Sequence, residues 1–347
     1  MPSLKLSNIG ELNLLKQIQR RFKKGSSGVL IGIGDDAALL KPFRKNILVT
    51  TDMMIEGIHF NLDYITPYQL GFKLVSINVS DIYAMGGIPR YILLSLAMNK
   101  NTSKKVFDSF FEGVEKGIKH YRVSLVGGDI SSTNRGMVLS ATLIGYAQKC
   151  LRRSGAKIGD RIYVTGNLGD SACGLEILKR IKRPVPIETT KKRRIKSKKT
   201  RICDKKLLKG LNLEDIEPLL RRHLMPEARN PKRFIRYVTS MIDISDGLLI
   251  DLTRICEESK VGARIYLDNI PISSGLKKTA SYLGLSPIKM ALSGGEDYEL
   301  LFTTQKDKGV KAIYIGDITE SERVIIDPSG NKRAFSPEGY QHFVIHR

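Results

Sequence analysis

No stretch of this 347-residue chain approaches the roughly 20 consecutive apolar residues that a bilayer-spanning helix needs, so no membrane-embedded protein is expected. The opening MPSLKLSNIGELNLLKQIQRRFKK lacks the charged-then-apolar order of a secretion signal and has the period of an amphipathic helix, so export is not expected. Cysteine is scarce. Cys150, Cys173, Cys203 and Cys256 are scattered with no C-x-x-C spacing, which argues against a zinc site or a disulfide framework and for reduced thiols in the cytoplasm. The dipeptide Gly-Lys occurs nowhere, and without it there is no phosphate-binding P-loop. The H-E-x-x-H zinc motif and the protein-kinase catalytic loop are missing as well.

What remains has the balance of a globular protein, 41% apolar and 27% charged. Its length suits two domains of about 150 residues each. The segment RRSGAKIGDRIYVTG after Cys150 reads as a turn followed by a new strand, which places the boundary there and gives domains over 1–150 and 151–347. The net charge of +22 invites a nucleic-acid reading. Its distribution weakens that reading, because fifteen Lys and Arg lie between Lys179 and Lys209 against only Glu188 and Asp204. A basic insertion at about 180–209, rich in charge and poor in aromatics, is what a solvated loop looks like. Nucleic acid is therefore not the expected partner.

Along the first half, ILVTTDMM and MVLSATLIGYA are strand-like, and YQLGFKLVSINVSDIYAMG has a helical period. In the second half, DSACGLEILKRI reads as a helix, while GARIYLDNIPI and ELLFTT read as strands. VTSMIDISDGLLIDLTRICEES passes from a buried strand into a helix at Ser245-Asp246-Gly247, where Ser or Asp suits the helix N-cap. Carboxylates recur at the ends of apolar strands and the tips of glycine turns. They are Asp35 and Asp36 in GIGDDA, Asp52 in TTDMM, Asp81 in NVSDIYAMGG, Asp129 in VGGDISS, and Asp243 and Asp246 in IDISDG. Each alone is an ordinary turn or cap acid. Gathered in one pocket they would repel one another unless cations held them, and hard oxygen donors of this kind suit Mg²⁺ or Mn²⁺. The GIGDDA turn imitates a dinucleotide-binding loop, with Asp52 twenty residues beyond Gly32. Two acids inside such a loop would oppose a pyrophosphate, unless a metal ion lay between them.

Taken in order, GIGDDAALL, TTDMMIEGIHF, NVSDIYAMGG, VGGDISS, RRSGAKIGDRIYVTG, IDISDGL and ALSGGEDYELLF resemble the thiamine-monophosphate kinase family of the aminoimidazole ribonucleotide synthetase-like superfamily. The resemblance runs from about residue 28 to the EGYQHF near the C-terminus. It implies an α/β (α+β) fold of two domains, each a mixed β-sheet backed by helices, with ATP and metals between them, and a homodimer joined through the N-terminal sheets. The implied reaction is ATP-dependent phosphorylation of thiamine monophosphate to thiamine diphosphate with several Mg²⁺ ions. By motif matching, the metal ligands would be Asp36, Thr50, Thr51, Asp52, Asp81, Asp129, Asp243 and Asp246. Tyr121, Gly128, Asp129, Arg153 and Ser245 would touch ATP, and His59, Glu296 and Tyr340 the substrate. Asp35 and Asp297 stand beside two of these positions. The alternative is another ATP-dependent enzyme of the superfamily acting on a different small substrate. Selenophosphate synthetase and the hydrogenase-maturation enzyme are disfavoured, since no cysteine precedes Cys150 and the chain ends HFVIHR.

The residue types fit such chemistry apart from any resemblance. An acceptor phosphate has a second pKa of about 6 and is largely anionic near neutral pH, so no general base is needed to activate it. The obstacle is repulsion between two polyanions, which metal ions and a permanent cation such as Arg153 relieve.

Overall fold

The computed structural model describes residues 4–22, 28–33, 37–185, 187, 211–305 and 310–342. The GIGDDA acids Asp35 and Asp36, and the basic stretch from 188 to 210, lie outside the described residues. The chain divides into two compact units, Met1–Cys150 and Leu151–Arg347.

The first unit begins with helices α1 (Leu6–Ile9) and α2 (Glu11–Phe22) and the short pair β1 (Val29–Ile31) and β2 (Leu39–Leu40). Its body is β3 (Asn46–Ile55), α3 (Pro67–Ala84), β4 (Ile88–Asn99), α4 (Lys104–Tyr121), β5 (Ser124–Thr133) and β6 (Val138–Ala147). The four long strands form one mixed sheet in the order β3-β6-β4-β5, antiparallel except for β4 and β5, which run parallel around α4. α3 lies between this sheet and α4, and almost every side chain from Gln69 to Ala84 is buried. Its start is written into the sequence. Thr66 Oγ1 accepts from the Gln69 amide at 3.2 Å, Gln69 Oε1 accepts from the Thr66 amide at 2.9 Å, and Pro67 supplies the preset φ of the first turn. β6 alternates strictly between buried and half-buried residues, as a strand with one covered face must. The opposite face is open at β3, where Ile47, Val49 and Met53 are 58%, 65% and 53% exposed.

The second unit comprises β7 (Arg161–Val164), α5 (Asp170–Ile181), α6 (Leu213–Leu224), β8 (Ser240–Asp243), α7 (Leu248–Ser259), β9 (Gly262–Tyr266), α8 (Ser274–Tyr282), α9 (Pro287–Ser293), β10 (Leu300–Thr304), β11 (Ile313–Thr319), β12 (Arg323–Ile326) and β13 (Lys332–Ala334). Seven strands line up as β13-β12-β9-β11-β7-β10-β8, antiparallel except for the parallel β9 and β12. That pattern is not the parallel sheet of a dinucleotide-binding fold. β10 is buried on both faces. Leu301 joins the core that Leu248, Leu252 and Ile255 of α7 make with the sheet, and Phe302 stacks between Phe234 and Tyr163 at centroid distances of 4.5 and 5.6 Å. This double cover is why ELLFTT reads as a continuous run rather than an alternating one.

Thr66→Ala should lower the unfolding free energy of the first unit by about 1 kcal/mol, the usual worth of a side-chain N-cap. Urea unfolding followed by circular dichroism would show it as a lower midpoint at unchanged slope; an unchanged midpoint would mean that the capping box contributes nothing.

Candidate functional site

In the first unit the period of two along β3 decides which of its polar residues share a face. Thr50 and Asp52 point towards α3, where Thr50 Oγ1 donates to Asp81 Oδ2 at 2.5 Å and the Asp52 amide donates to Asn78 Oδ1 at 3.2 Å. Asp81 and Asn78 lie three apart on α3 and so project from the same side of the helix. Thr51 points the other way and donates to the Ala141 carbonyl at 3.1 Å, so its side chain and those of Thr50 and Asp52 are on opposite sides of the sheet. Asp129 is exposed on β5, in register with Ser95 of β4. It stands three strand spacings, about 14 Å, from β3. Gly128 beside it has φ +149°, and a Cβ there would meet the Leu94 carbonyl at 2.0 Å. The small cavity next to it, about 40 Å³, is otherwise lined by apolar side chains such as Ile18, Phe111 and Ile130, and has room for about one water molecule.

His59 follows β3 and is half-buried; its Nδ1 accepts from the Ile55 amide at 3.0 Å. In the neutral ring the proton is therefore on Nε2. Tyr121 is buried. Its ring sits in the α3–α4 core against Phe72 and Tyr83, and its hydroxyl pairs with Ser76 Oγ at 2.6 Å. Its hydroxyl is thus committed inward, as buried tyrosine hydroxyls usually are.

The second unit gathers its predicted residues around the turn between β8 and α7. Ser245 and Asp246 offer their carbonyls to two incoming segments: the Glu296 amide donates to Ser245 O at 2.7 Å, and the Tyr340 amide to Asp246 O at 2.9 Å. Gly295 and Gly339 make the approach possible, since a Cβ at either would lie 2.6 to 2.7 Å from those same carbonyl oxygens. Asp243, Ser245, Asp246, Glu296 and Tyr340 thus belong to one locality. Arg153 does not join it. Its carbonyl accepts from Ser259 Oγ at 3.1 Å at the far end of α7, and α7 is 12 residues long, about 18 Å.

The expected Ser or Asp cap of α7 is not what forms. The N-cap is Gly247 with no side-chain bond, and Asp251 instead reaches back to accept from the Asp246 and Gly247 amides, both at 3.1 Å. Arg254 bridges Asp251 (2.5 Å) and Asp246 (2.7 Å), so the Asp246 carboxylate is oriented by a guanidinium. Burial pushes the Asp251 carboxyl up to about 6, against the pull of Arg254. An acid four residues into a predicted helix was the available signal for this role.

The SGGEDYEL segment divides its acids between inside and outside. Asp297 is fully buried and caps α5, accepting from the Gly169 amide at 2.5 Å and the Ser171 amide at 3.0 Å. Glu299 is also fully buried; burial acts to raise its carboxyl, but Arg222 and Arg229 outweigh that and hold it below its ordinary value. Thr165 adds a further bond at 2.5 Å. Glu296 alone of the three keeps part of its carboxylate outside, 29% exposed, with Oε2 3.1 Å from His223 Nδ1. Of the pair Glu296 and Asp297, the first is the one available to a ligand. No helix among the described residues is long and apolar enough to cross a membrane.

Comparison with known proteins places these features in a family. The model of the N-terminal domain of AIR synthase related proteins matches residues 34–147, and that of the C-terminal domain matches residues 157–327. The thiamine-monophosphate kinase of Aquifex aeolicus is 34% identical, with 98% of this chain and 100% of that protein covered. The Escherichia coli K12 enzyme of the same name is 33% identical over 96% and 98%. A solved structure, AaThiL complexed with AMPPCP and TMP, superposes with a TM-score of 0.72 at 31% identity and covers 99% of this chain and 100% of its own.

Burial raises Asp297 from its ordinary 3.8 to about 7, so the folded chain holds a proton that the unfolded chain gives up. Asp297 therefore favours folding below about pH 4, and that contribution is lost as pH rises through about 7. Asp297→Asn, neutral throughout, should flatten the fall in unfolding free energy between about pH 4.5 and 7. Identical slopes for the two proteins would show that Asp297 is ionised across the range.

Proposed function

The chain belongs to the AIR synthase related family and, within it, to the thiamine-monophosphate kinases, and we propose that its acidic turns are the means by which that reaction is carried out. It is an enzyme that phosphorylates thiamine monophosphate with ATP, a reaction of thiamine diphosphate biosynthesis. The observation that carries this is the match to those kinases from end to end rather than over one motif.

The donor chemistry fits Mg²⁺. Thr50, Asp52 and Asp81 offer oxygen donors where β3 meets α3, with Thr50 and Asp81 in contact, and Asp246, with the buried Asp243, lies by the β8–α7 turn. Small groups of carboxylates with open sides are what Mg²⁺ uses when substrate phosphates and water complete its shell. We assign these residues, with Asp36, Thr51 and Asp129, to metal binding; Thr51 could contribute only from its own side of the sheet. When bound, the ions would neutralise charge on the phosphates. The chain's own work is positioning. Gly128, Asp129, Arg153 and Ser245 are assigned to ATP, with the exposed Arg153 guanidinium suited to paired contacts with phosphate oxygens. His59, Glu296 and Tyr340 are assigned to thiamine monophosphate, Glu296 offering its carboxylate to the thiazolium cation or the pyrimidine amine. The acceptor is already ionised, so transfer in line needs alignment and no base.

Two further assignments complete the proposal. The enzyme acts in the cytoplasm, which suits the buried free thiols Cys173 and Cys256. It works as a homodimer joined through the first unit's sheet, whose open face carries Ile47, Val49, Met53 and, on β4, Ile88. Exposed apolar side chains concentrated in this way mark an interaction surface, and a two-fold axis lets one such face cover its copy.

Purified protein given ATP, Mg²⁺ and thiamine monophosphate should form thiamine diphosphate, and Asp81→Asn or Asp246→Asn should cut kcat by about 100-fold or more while leaving thermal stability near that of the parent. Near-normal turnover in either variant would remove that acid from the metal site. Val49→Asp should turn the dimer into a monomer in sedimentation velocity; a dimer that survives the buried charge would place the interface elsewhere.

A further inference from the structure

His223 is buried at 4% exposure on α6, and none of the assigned contacts uses it. Its Nδ1 lies 3.1 Å from Glu296 Oε2 and 3.1 Å from Ser171 Oγ. A carboxylate has no hydrogen to give, so Nδ1 carries the proton and donates. That is the reverse of His59, whose Nδ1 accepts.

Glu296 needs such a partner. It has φ +65°, and Tyr298 two residues on has φ +50°, two non-glycine residues in a region that persists only where the surroundings dictate it. The backbone is held by Ser245 and Ile244, whose carbonyls accept from the Glu296 and Tyr298 amides at 2.7 and 2.9 Å. Asp297 and Glu299 are anchored inside, and Arg222 of α6 also donates to the Asp297 carbonyl at 3.2 Å. None of these contacts fixes the Glu296 side chain, which leaves the loop on three rotatable bonds. The next residue of α6 supplies one that does.

The sequence puts the ring there by a glycine. A Cβ on Gly174 of α5 would lie 2.3 Å from the Leu219 carbonyl and 3.2 Å from His223 Cβ, so α6 packs closer to α5 than any larger residue permits. Ser171, three residues earlier on α5, comes to the same side and meets the imidazole.

We propose that His223 is a positioning residue for the substrate: its Nδ1–H holds the Glu296 carboxylate in the orientation that binds the thiamine moiety. This rests on the reading of Glu296 as a substrate contact. The contact is present in ground and transition states alike, so its loss belongs in KM rather than in kcat.

Steady-state kinetics of the full chain, with thiamine monophosphate varied at saturating ATP and Mg²⁺, test it. His223→Leu should raise KM for thiamine monophosphate about tenfold with kcat within about twofold, and His223→Asn, which restores an N–H near Nδ1, should bring KM back to within about twofold of the parent. Glu296→Gln should raise KM by itself, and His223→Leu on top of it should add little. A Glu296→Gln enzyme with unchanged KM would overturn the reading of Glu296 and the proposal with it. A raised KM for Glu296→Gln that multiplies fully with that of His223→Leu, or a His223→Leu enzyme that loses kcat at constant KM, would overturn the role of His223 alone. If His223→Leu does not fold, Gly174→Ala keeps the imidazole but pushes α6 away and must raise the same KM; an unchanged KM there overturns the proposal.

Discussion

Two backbone carbonyls, those of Ser245 and Asp246, organise the second unit's site, because each receives an amide from a different part of the chain: Glu296 from the loop after α9 and Tyr340 from the C-terminal segment. Carbonyls at a strand-to-helix turn are among the few acceptors left over from regular structure, and segments hydrogen-bonded to them must come to van der Waals contact. Glycine at 295 and 339 follows from that contact. The turn itself is kept in shape from inside α7, by Asp251 accepting from its amides and Arg254 bridging to the Asp246 carboxylate. The Asp246 carboxylate, which we assign to metal binding, is therefore aimed by a cation of the protein's own. Arg254 still leaves lone pairs on the Asp246 carboxylate for a second partner.

The acids divide by burial into two kinds with different work. Asp251, Asp297 and Glu299 are fully buried and satisfied by backbone amides or arginines; they fix loops. Asp246 and Glu296 keep side chains 28% and 29% exposed and remain available. Both kinds occur within a few residues of each other in the same motifs. Motif matching alone does not separate them, because the choice between inside and outside is made by partners from distant segments, the Gly169 and Ser171 amides for Asp297 and His223 for Glu296.

What could be read from the sequence was what depends on local period and local turns. β3, α3, β6, α5 and β10 lie where alternation, helical period and continuous apolar runs place them, because these patterns follow from which sides of an element are covered, both of them for α3 and β10. The Ser or Asp cap expected at α7 does not form, because the acceptor is four residues inside the helix and not at its start. Tyr121 was assigned by its position in a motif, yet its direction is set by α3 packing over α4, a contact between segments 45 residues apart. His223 had no local signal at all. A lone histidine on a helix becomes meaningful only when α5 brings Ser171 and the SGGEDYEL loop brings Glu296 to the same nitrogen.

The reaction explains why so much of the chain serves orientation. When the acceptor is already an anion, nothing is gained from a side chain that takes a proton, and a side chain that drifts loses the alignment on which in-line transfer depends. The two histidines fit that demand. His59 has its Nδ1 filled by the Ile55 amide and His223 has its Nδ1 directed at Glu296, so each ring has one nitrogen committed and its tautomer set by a neighbour. Rings held in this way have their orientation fixed by a neighbouring group. The same economy runs through Thr50, whose hydroxyl is directed at Asp81 from the adjoining strand. Each of these polar groups is held by a partner within its own unit, and that completion fixes its geometry before any ligand arrives.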